Sequence, residues 1–481
     1  MESSRKLQKV MLAQPNFART GKRTWKLLPY SLGILNACLK RAHYDSWIFD
    51  ANADGLSDEE VREELRRTRP DVVGITTFST EYLDEPAIFS RLVREELPEA
   101  VIVLGGVLPT MMPLTAVKDP NVDYCVLGEG EERFPRLLEA LSAGEDLSTL
   151  DGLAYGAPPT VQPQSGFIAD LDTVPLPDYG GIDFLQYANF VNKYAHHFLP
   201  SRFPFAVTMS ARGCPHHCIF CAGHLLTGRR MRLRSAANVL AEVDQLYHEQ
   251  GVREIIYLDD HFLASRRRTL EILNGLKQRS YDLAWKCANV NVMHLDREVL
   301  ELMRETGSYQ LTISVESGVQ EVLTNIVRKP IDLSKVPGIM AMAKELGFDS
   351  AANFIIGFPG ETWDQIRETI RYAEHLPVDI VNFHIATPLP LTELMQICER
   401  GNFLTVEPGK QFGYTMGMIK TDEFSPVELQ ILRAFEWDRI NFTSPERKAA
   451  ICRIEGITLE ELEQWRLRTR HNLGTTIGWK E

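Results

Sequence analysis

The sequence predicts an α/β chain in three parts: a doubly wound, Rossmann-like domain, a partial barrel of six βα units, and a small, mainly helical C-terminal region. Three observations carry that prediction. Short apolar runs alternate with helical patterns through the first 150 residues and again, six times, from Phe205 onward. Between the two series, residues 151–203 are broken by Pro158, Pro159, Pro163, Pro175, Pro177, Gly180 and Gly181, as expected of a connector. At 481 residues the chain is too long for one ordinary domain, and its 44% apolar content is enough for full cores. The expected boundaries are 1–150, 151–203, 204–392 and 393–481.

In the first domain, Val10–Ala13 reads as a strand and Pro29–Leu39 as a helix opened by proline. Trp47–Phe49 is a second strand, Asp58–Arg67 a charged helix, Val72–Thr77 a third strand and Ala87–Leu97 another helix. Val101–Leu104 and Tyr124–Leu127 complete five strands. Apolar runs separated by helices imply a parallel sheet buried on both faces, with ligands beyond the carboxyl ends of its strands. Two of those ends are glycine-rich: Gly105-Gly106 with Thr110 after strand four, and Gly128-Glu129-Gly130-Glu131 after strand five. Glycine there lets backbone approach a bulky ligand, although turn chemistry alone also explains it. In the connector, Asp178-Tyr179 and the aromatic stretch Phe184–Phe198 read either as a surface linker with a short helix or as a lid.

The barrel strands are expected at Phe205–Met209, Glu254–Leu258, Leu283–Cys287, Leu311–Val315, Ala351–Ile356 and Ile380–Ile385. Apolar residues spaced by three or four, such as Val239, Val243 and Leu246, mark the intervening helices. In such barrels the chemistry lies at the carboxyl ends of the strands. In the tail, Ser425-x-x-Glu428 and Thr458-x-x-Glu461 are capping-box starts of two helices reaching Phe442 and Arg470.

Charge and cysteine usage narrow the function. The formal charge of −13 speaks against a nucleic-acid scaffold or polybasic membrane anchor. Eight cysteines in a chain this long are not a disulfide framework, no signal peptide is read at the start, and no apolar run is long enough to span a bilayer. A reduced cytoplasm is the expected location.

Cys214, Cys218 and Cys221 stand in a C-x₃-C-x₂-C run with Phe220 before the last thiol. Closely spaced thiolates select zinc, copper(I) or an iron–sulfur cluster. Zinc or an ordinary ferredoxin-type cluster wants four ligands, and His216, His217 and His224 lie near enough to leave zinc open. Three grouped cysteines on a [4Fe–4S] cluster would leave one iron open.

This pattern resembles the radical S-adenosylmethionine (SAM) enzymes from about residue 203 to residue 390. The resemblance implies that the open iron chelates the amino and carboxylate groups of SAM and that one electron then releases a 5′-deoxyadenosyl radical. It also implies that Asp259 and Asp260 meet the SAM amino group, that Glu316 and Ser317 meet the ribose, and that Gly357 and Phe220 lie near the adenine. The two glycine loops then look like a cobalamin-binding domain of the B12-binding type, with Gly105, Gly106, Thr110, Gly128, Glu129, Gly130 and Glu131 as contacts. Leu108 stands where that family usually has histidine, so a protein imidazole from this loop is not expected on the cobalt; an empty domain stays open. Thr387–Glu393 is similar to the turn that ends the barrel in the family, with Leu391 in place of its glycine.

Other residues keep two readings. Arg229, Arg230, Arg232 and Arg234 pair with the SAM carboxylate or a cobalamin phosphate, or form a solvated basic turn; Arg328-Lys329 shares the ambiguity. Cys287 is a core thiol or a hydrogen donor to a substrate radical, and no other catalytic residue is assigned. Trp437-Asp438-Arg439 reads as a buried aromatic with a surface ion pair, and Cys38, Cys125, Cys398 and Cys452 have no motif context. The resemblance implies hydrogen abstraction from a small molecule such as a sugar or lipid precursor, with a flavodoxin or ferredoxin as reductant. Methyl transfer is the expected outcome; dehydration or rearrangement and ring closure are the alternatives, and an electron-relay protein is the reading from another class.

Overall fold

The computed structural model describes residues 7–17, 26–79, 84–189, 195–406 and 416–476. Residues 1–6 at the start and 190–194 of the aromatic stretch lie outside them. The chain divides into two compact units.

The first unit holds a seven-stranded sheet in the order β2-β1-β3-β4-β5-β6-β7. Its strands are β1 (Lys9–Gln14), β2 (Asp45–Asp50), β3 (Val72–Thr77), β4 (Val101–Gly106), β5 (Tyr124–Val126), β6 (Leu153–Tyr155) and β7 (Thr160–Gln162). The first five are parallel, as expected. On one face Met11, Val73, Ile75, Ile102 and Leu104 meet Phe89, Leu92 and Val93 of the helix Asp84–Glu96. Leu108, where the resemblance leads one to look for histidine, is part of this same core.

The connector differs from expectation. Residues 153–162 form an antiparallel hairpin, β6 and β7, that extends the sheet beyond β5. Gly156, Pro158 and Pro159 punctuate a hairpin turn rather than an open linker, and three-residue strands are too short to show alternation. Asp178 and Tyr179 lie against the helix Tyr30–Arg41: Asn36 donates to the Asp178 carbonyl (3.0 Å), Lys40 pairs with its carboxylate (2.8 Å), and a Cβ on Gly33 would fall 2.6 Å from the Tyr179 ring.

The second unit contains six parallel barrel strands: Phe205–Thr208, Glu254–Tyr257, Ala284–Cys287, Gln310–Glu316, Asp349–Ile356 and Ile380–Ile385. Strands one to three form one sheet and four to six another; isolated bridges Trp285–Ser308 and Val290–Ile313 join the third to the fourth. At the amino end of the barrel, buried Lys286 donates to the carbonyls of His196 (2.7 Å) and Leu199 (2.6 Å) and to Gln310 Oε1 (3.1 Å), while His196 Nδ1 meets Glu455 (2.8 Å). This polar network lies away from the carboxyl ends of the strands, where the chemistry of such barrels is found.

Six strands do not close a circle, so strand six is an edge. The helix Pro426–Asn441, opened by the expected Ser425–Glu428 capping box, covers it. Asn441 Oδ1 accepts from Val381 N and its Nδ2 donates to Val381 O, both at 2.8 Å, as a neighbouring strand would. Arg433 Nε donates to Phe383 O at 2.7 Å. The expected tail helix from Thr458 is present with its capping contacts, but the sequence reading missed the helix Pro445–Glu455 between the two.

Replacing fully buried Asn441 by alanine strands a buried N–H and C=O. The expected loss is about 1–3 kcal/mol of unfolding free energy, read by urea denaturation; an unchanged midpoint would show that the edge is satisfied otherwise.

Candidate functional site

Barrel strand one leads into Ser210, whose N and Oγ donate to Asp259 at 2.9 and 2.5 Å, and whose carbonyl accepts from Arg268 at 2.6 Å. The cysteine loop is thus tied at its root to the end of strand two. Gly213 then takes φ 90°, a conformation open to glycine, and the loop carries the partly exposed thiols of Cys214, Cys218 and Cys221. Its middle is held by Ile219 N to Val327 O (3.2 Å) and Leu394 N to Ile219 O (2.9 Å).

Burial pushes the Cys218 thiol up to about 12 and raises Cys214 as well, with Lys329 opposing both shifts. The ligand form is the thiolate, so a metal centre has to displace these protons on binding. Among the described residues, no three His, Cys, Asp or Glu side chains converge on one ion. A zinc site needs four donors at about 2.0–2.3 Å, whereas three soft thiol donors suit an iron–sulfur cluster with one iron left open. The charges that act on Cys218 are those of Lys329, Cys221, Glu316 and Cys214, and Asp260 acts on Cys214. The structure therefore gathers the three thiols, Asp260, Glu316 and Lys329 in one place.

Several acidic and hydroxyl groups are engaged within the protein. Asp259 is buried, raised to about 6 by burial, and occupied by Ser210. Glu316, at φ 73°, pairs with Lys329 at 2.7 Å, and Lys329 also donates to Ser314 O at 2.6 Å. Ser317 is fully buried against Thr369 Oγ1 (3.0 Å) and accepts from Val319 N (3.1 Å). A Cβ on Gly357 (φ 87°) would lie 2.4 Å from Leu429. Gly357 N and Phe358 N donate to Glu361 (2.8 and 3.1 Å), and the Phe220 ring lies 5.9 Å from that of Phe358.

Cys287 alternates with Lys286, which reaches the barrel interior, so its side chain lies on the outer face with Trp285. It is buried and its thiol is pushed far upward by burial. That position suits a core residue and not a donor to a radical inside the barrel.

The sequence reading assigned no role to Glu361 and did not bring His216, His261 and His294 together. Glu361 locks the turn after strand five, and its glycine-rich context was the available signal. His216, His261 and His294 stand in a row, ring centres 5.6 and 4.6 Å apart, with Asn291 Nδ2 3.4 Å from Nε2 of both His216 and His261. Burial and the neighbouring imidazoles hold His261 at about 4, hence neutral. Their separation in sequence left no signal.

In the first unit, Gly106 takes φ 92° and a Cβ there would strike Thr77 O at 2.6 Å, while a Cβ on Gly105 would meet nothing within 4 Å. That open side, at the carboxyl end of β4, suits the approach of a large ring. Thr110 Oγ1 donates to Gly106 O (2.7 Å) and accepts from Gly128 N (2.8 Å), joining the two loops. A Cβ on Gly128 would collide with Gln164 at 1.7 Å. Glu129 is the N-cap residue of the helix Gly130–Ala143, with Glu131 in its first turn where the helix dipole favours a carboxylate.

The basic turn is divided. Arg232 is buried and pairs with Glu129 at 2.8 Å, and Arg234 is buried against Glu242. Only Arg229 and Arg230 are exposed, as a solvated turn requires.

Burial holds Glu361 at about 7 against 4.5 for a free carboxyl. The folded state binds this proton more tightly, so the added stability is complete below about 4.5 and is lost as pH rises through about 7. Relative to Glu361→Gln, the wild type is expected to lose about 3 kcal/mol across that window; parallel pH profiles in denaturant melts would refute it.

Two family models match the chain: the radical SAM superfamily over residues 209–373 and the B12 binding domain over residues 20–138. An uncharacterized methyltransferase, PH0819 from Pyrococcus horikoshii, is 30% identical over 89% of this chain and 91% of its own length. An anaerobic magnesium-protoporphyrin IX monomethyl ester cyclase from Rubrivivax gelatinosus is 28% identical over 88% and 75%. Among solved structures, the radical SAM methyltransferase TsrM from Kitasatospora setae shares the fold at a TM-score of 0.70 and 19% identity, covering 84% of this chain and 79% of that one. No helix among the described residues is long and apolar enough to cross a membrane. The chain belongs to the radical SAM superfamily, as a member that also carries a B12-binding domain, and its cofactors are a [4Fe–4S] cluster, SAM and cobalamin.

Proposed function

We propose that the protein is a methyltransferase that replaces a hydrogen on an unactivated carbon of a small molecule with a methyl group. The pairing of a radical SAM domain with a B12-binding domain in one chain carries this reading. When bound, the cluster and SAM supply the 5′-deoxyadenosyl radical and cobalamin supplies the methyl group; the hydrogen leaves in 5′-deoxyadenosine.

The protein's share is to bind, orient and exclude water. Cys214, Cys218 and Cys221 hold the cluster. Asp260 receives the SAM amino group, with Asp259 keeping the loop root in place through Ser210. Glu316, oriented by Lys329, faces the ribose, and Ser317 fixes the turn that follows. Gly357 and Phe220 border the adenine, and Glu361 holds that turn by accepting from two backbone N–H groups. Residues 1–150, through Gly105, Gly106, Thr110 and Gly128–Glu131, receive cobalamin, and 204–392 carry the radical chemistry; 151–203, of which 153–162 belong to the first sheet, run between them, and 393–481 follow. A flavodoxin or ferredoxin supplies the electron. A reduced cytoplasm suits the thiol ligands Cys214, Cys218 and Cys221.

Ring closure is the second reading, supported by the cyclase among the relatives. Anaerobically reconstituted protein, given SAM and a strong reductant, is expected to form 5′-deoxyadenosine and to show a paramagnetic spectrum altered by SAM. Replacing any one of Cys214, Cys218 and Cys221 with alanine should reduce product at least about a hundredfold, on the order of 2.7 kcal/mol in barrier. No 5′-deoxyadenosine from protein with an intact cluster would overturn the radical reading. Absence of corrin absorbance after reconstitution with cobalamin would remove methyl transfer and leave cyclisation.

A further inference from the structure

Arg433 lies on the helix that caps the barrel edge, and among the described residues its charge has no carboxylate partner. Its Nε donates to Phe383 O at 2.7 Å. That bond needs only a neutral donor: eight residues on, Asn441 satisfies the same strand without a charge. The other enclosed arginines differ. Arg232 and Arg234 pair with Glu129 and Glu242, Arg447 lies near Asp379, and Arg268 lies near Asp259. Among the described residues, Arg433 meets no carboxylate, and its charged neighbourhood contains His384, whose own protonation it disfavours.

Protein surrounds Arg433 on most sides, and burial alone pushes its guanidinium down to about 10, so it stays charged at neutral pH. Charged groups enclosed by protein are normally paired. Arg433 is partly buried rather than fully enclosed.

The location is at the functional end of the barrel. Leu429, one helical turn earlier and on the same helix face, packs on Gly357 after strand five. Phe383 lies two residues before strand six ends at Ile385. Phe354 faces Tyr372 on the outside and packs on Phe383, which turns Asn353, Asn382 and His384 to the interior. Asn382 Nδ2 donates to Asn353 at 3.3 Å, so this interior wall is polar, and His384 is held neutral at about 4.

We propose that the substrate carries an oxyanion, a carboxylate or phosphoryl group, and that Arg433 receives it through the planar fork of its Nη atoms. The inference rests on the barrel being the substrate site of the proposed reaction. A guanidinium matches two oxygens of such a group at once, and the bound anion supplies the charge that the protein leaves out. Arg433 is then a specificity-determining residue with no part in bond cleavage.

The test uses the full chain with its cluster, unreduced and without SAM. Inorganic phosphate, methylphosphonate and acetate are titrated by calorimetry at constant ionic strength set with chloride. At least one should bind saturably and raise the melting temperature above that in chloride. Arg433→Gln, which retains a donor for Phe383 O, should weaken that binding at least about tenfold with its melting temperature in chloride unchanged. Arg433→Lys should keep weaker but measurable binding, and Arg267→Gln, at a side chain 91% exposed, should bind as wild type. If the glutamine variant does not fold, the lysine variant and the wild-type titrations still decide.

No saturable binding of any of the three anions, or equal binding by Arg433→Gln, overturns the proposal. Formation of 5′-deoxyadenosine is measured separately. Normal SAM cleavage without anion binding removes only the anionic substrate, whereas anion binding without SAM cleavage removes the radical reading.

Discussion

An incomplete barrel must satisfy the backbone of its last strand. The N–H and C=O groups of Val381 and the C=O of Phe383 would otherwise be a template for another chain. Side chains of one helix, Asn441 and Arg433, take those bonds. The geometry of the outer half of the barrel follows from this attachment. It seats Leu429 against the bend at Gly357, where no larger residue fits, and it sets an arginine beside the interior wall. The tail is therefore part of the barrel's closure and not an appendage, and the helix Pro445–Glu455 completes it by placing Ile451 and Ile454 against Ala351 and Ile380.

Buried carboxylates do much of the positioning. Asp259 ties the root of the cysteine loop to strand two, Glu361 locks the turn after strand five, and Glu129 anchors Arg232. Each stands in a run that the family resemblance associates with ligand contact. Their burial raises Asp259 and Glu361 toward neutrality, while Lys329 and Glu316 near the thiols form a compensated pair. A compensated pair keeps its orientation without a large net field, which suits a site that must accept a cationic sulfonium and a cluster.

The first unit shows the same economy with neutral groups. The Thr110 hydroxyl bridges Gly106 and Gly128 and so uses both its donor and an acceptor position within the protein. Leu108 joins the apolar core. The loop presents backbone and empty space, at Gly105, toward a ligand and offers no imidazole from that position.

By itself the sequence determined the two α/β units, the five parallel strands, the six barrel strands to within about two residues, and the three-thiol loop. All of these are local: they follow from apolar periodicity, turn residues and close spacing, which neighbouring residues express together. Only tertiary structure decided which polar groups meet. Asn441 reaches Val381 across 60 positions, Asp259 reaches Ser210 across 49, and Glu129 reaches Arg232 across 103. The same holds for the short hairpin at 153–162, which becomes strand only because β5 offers an edge. Whether a buried charge is paired or left open, as at Arg433, depends on packing between distant elements, and no local pattern encodes it.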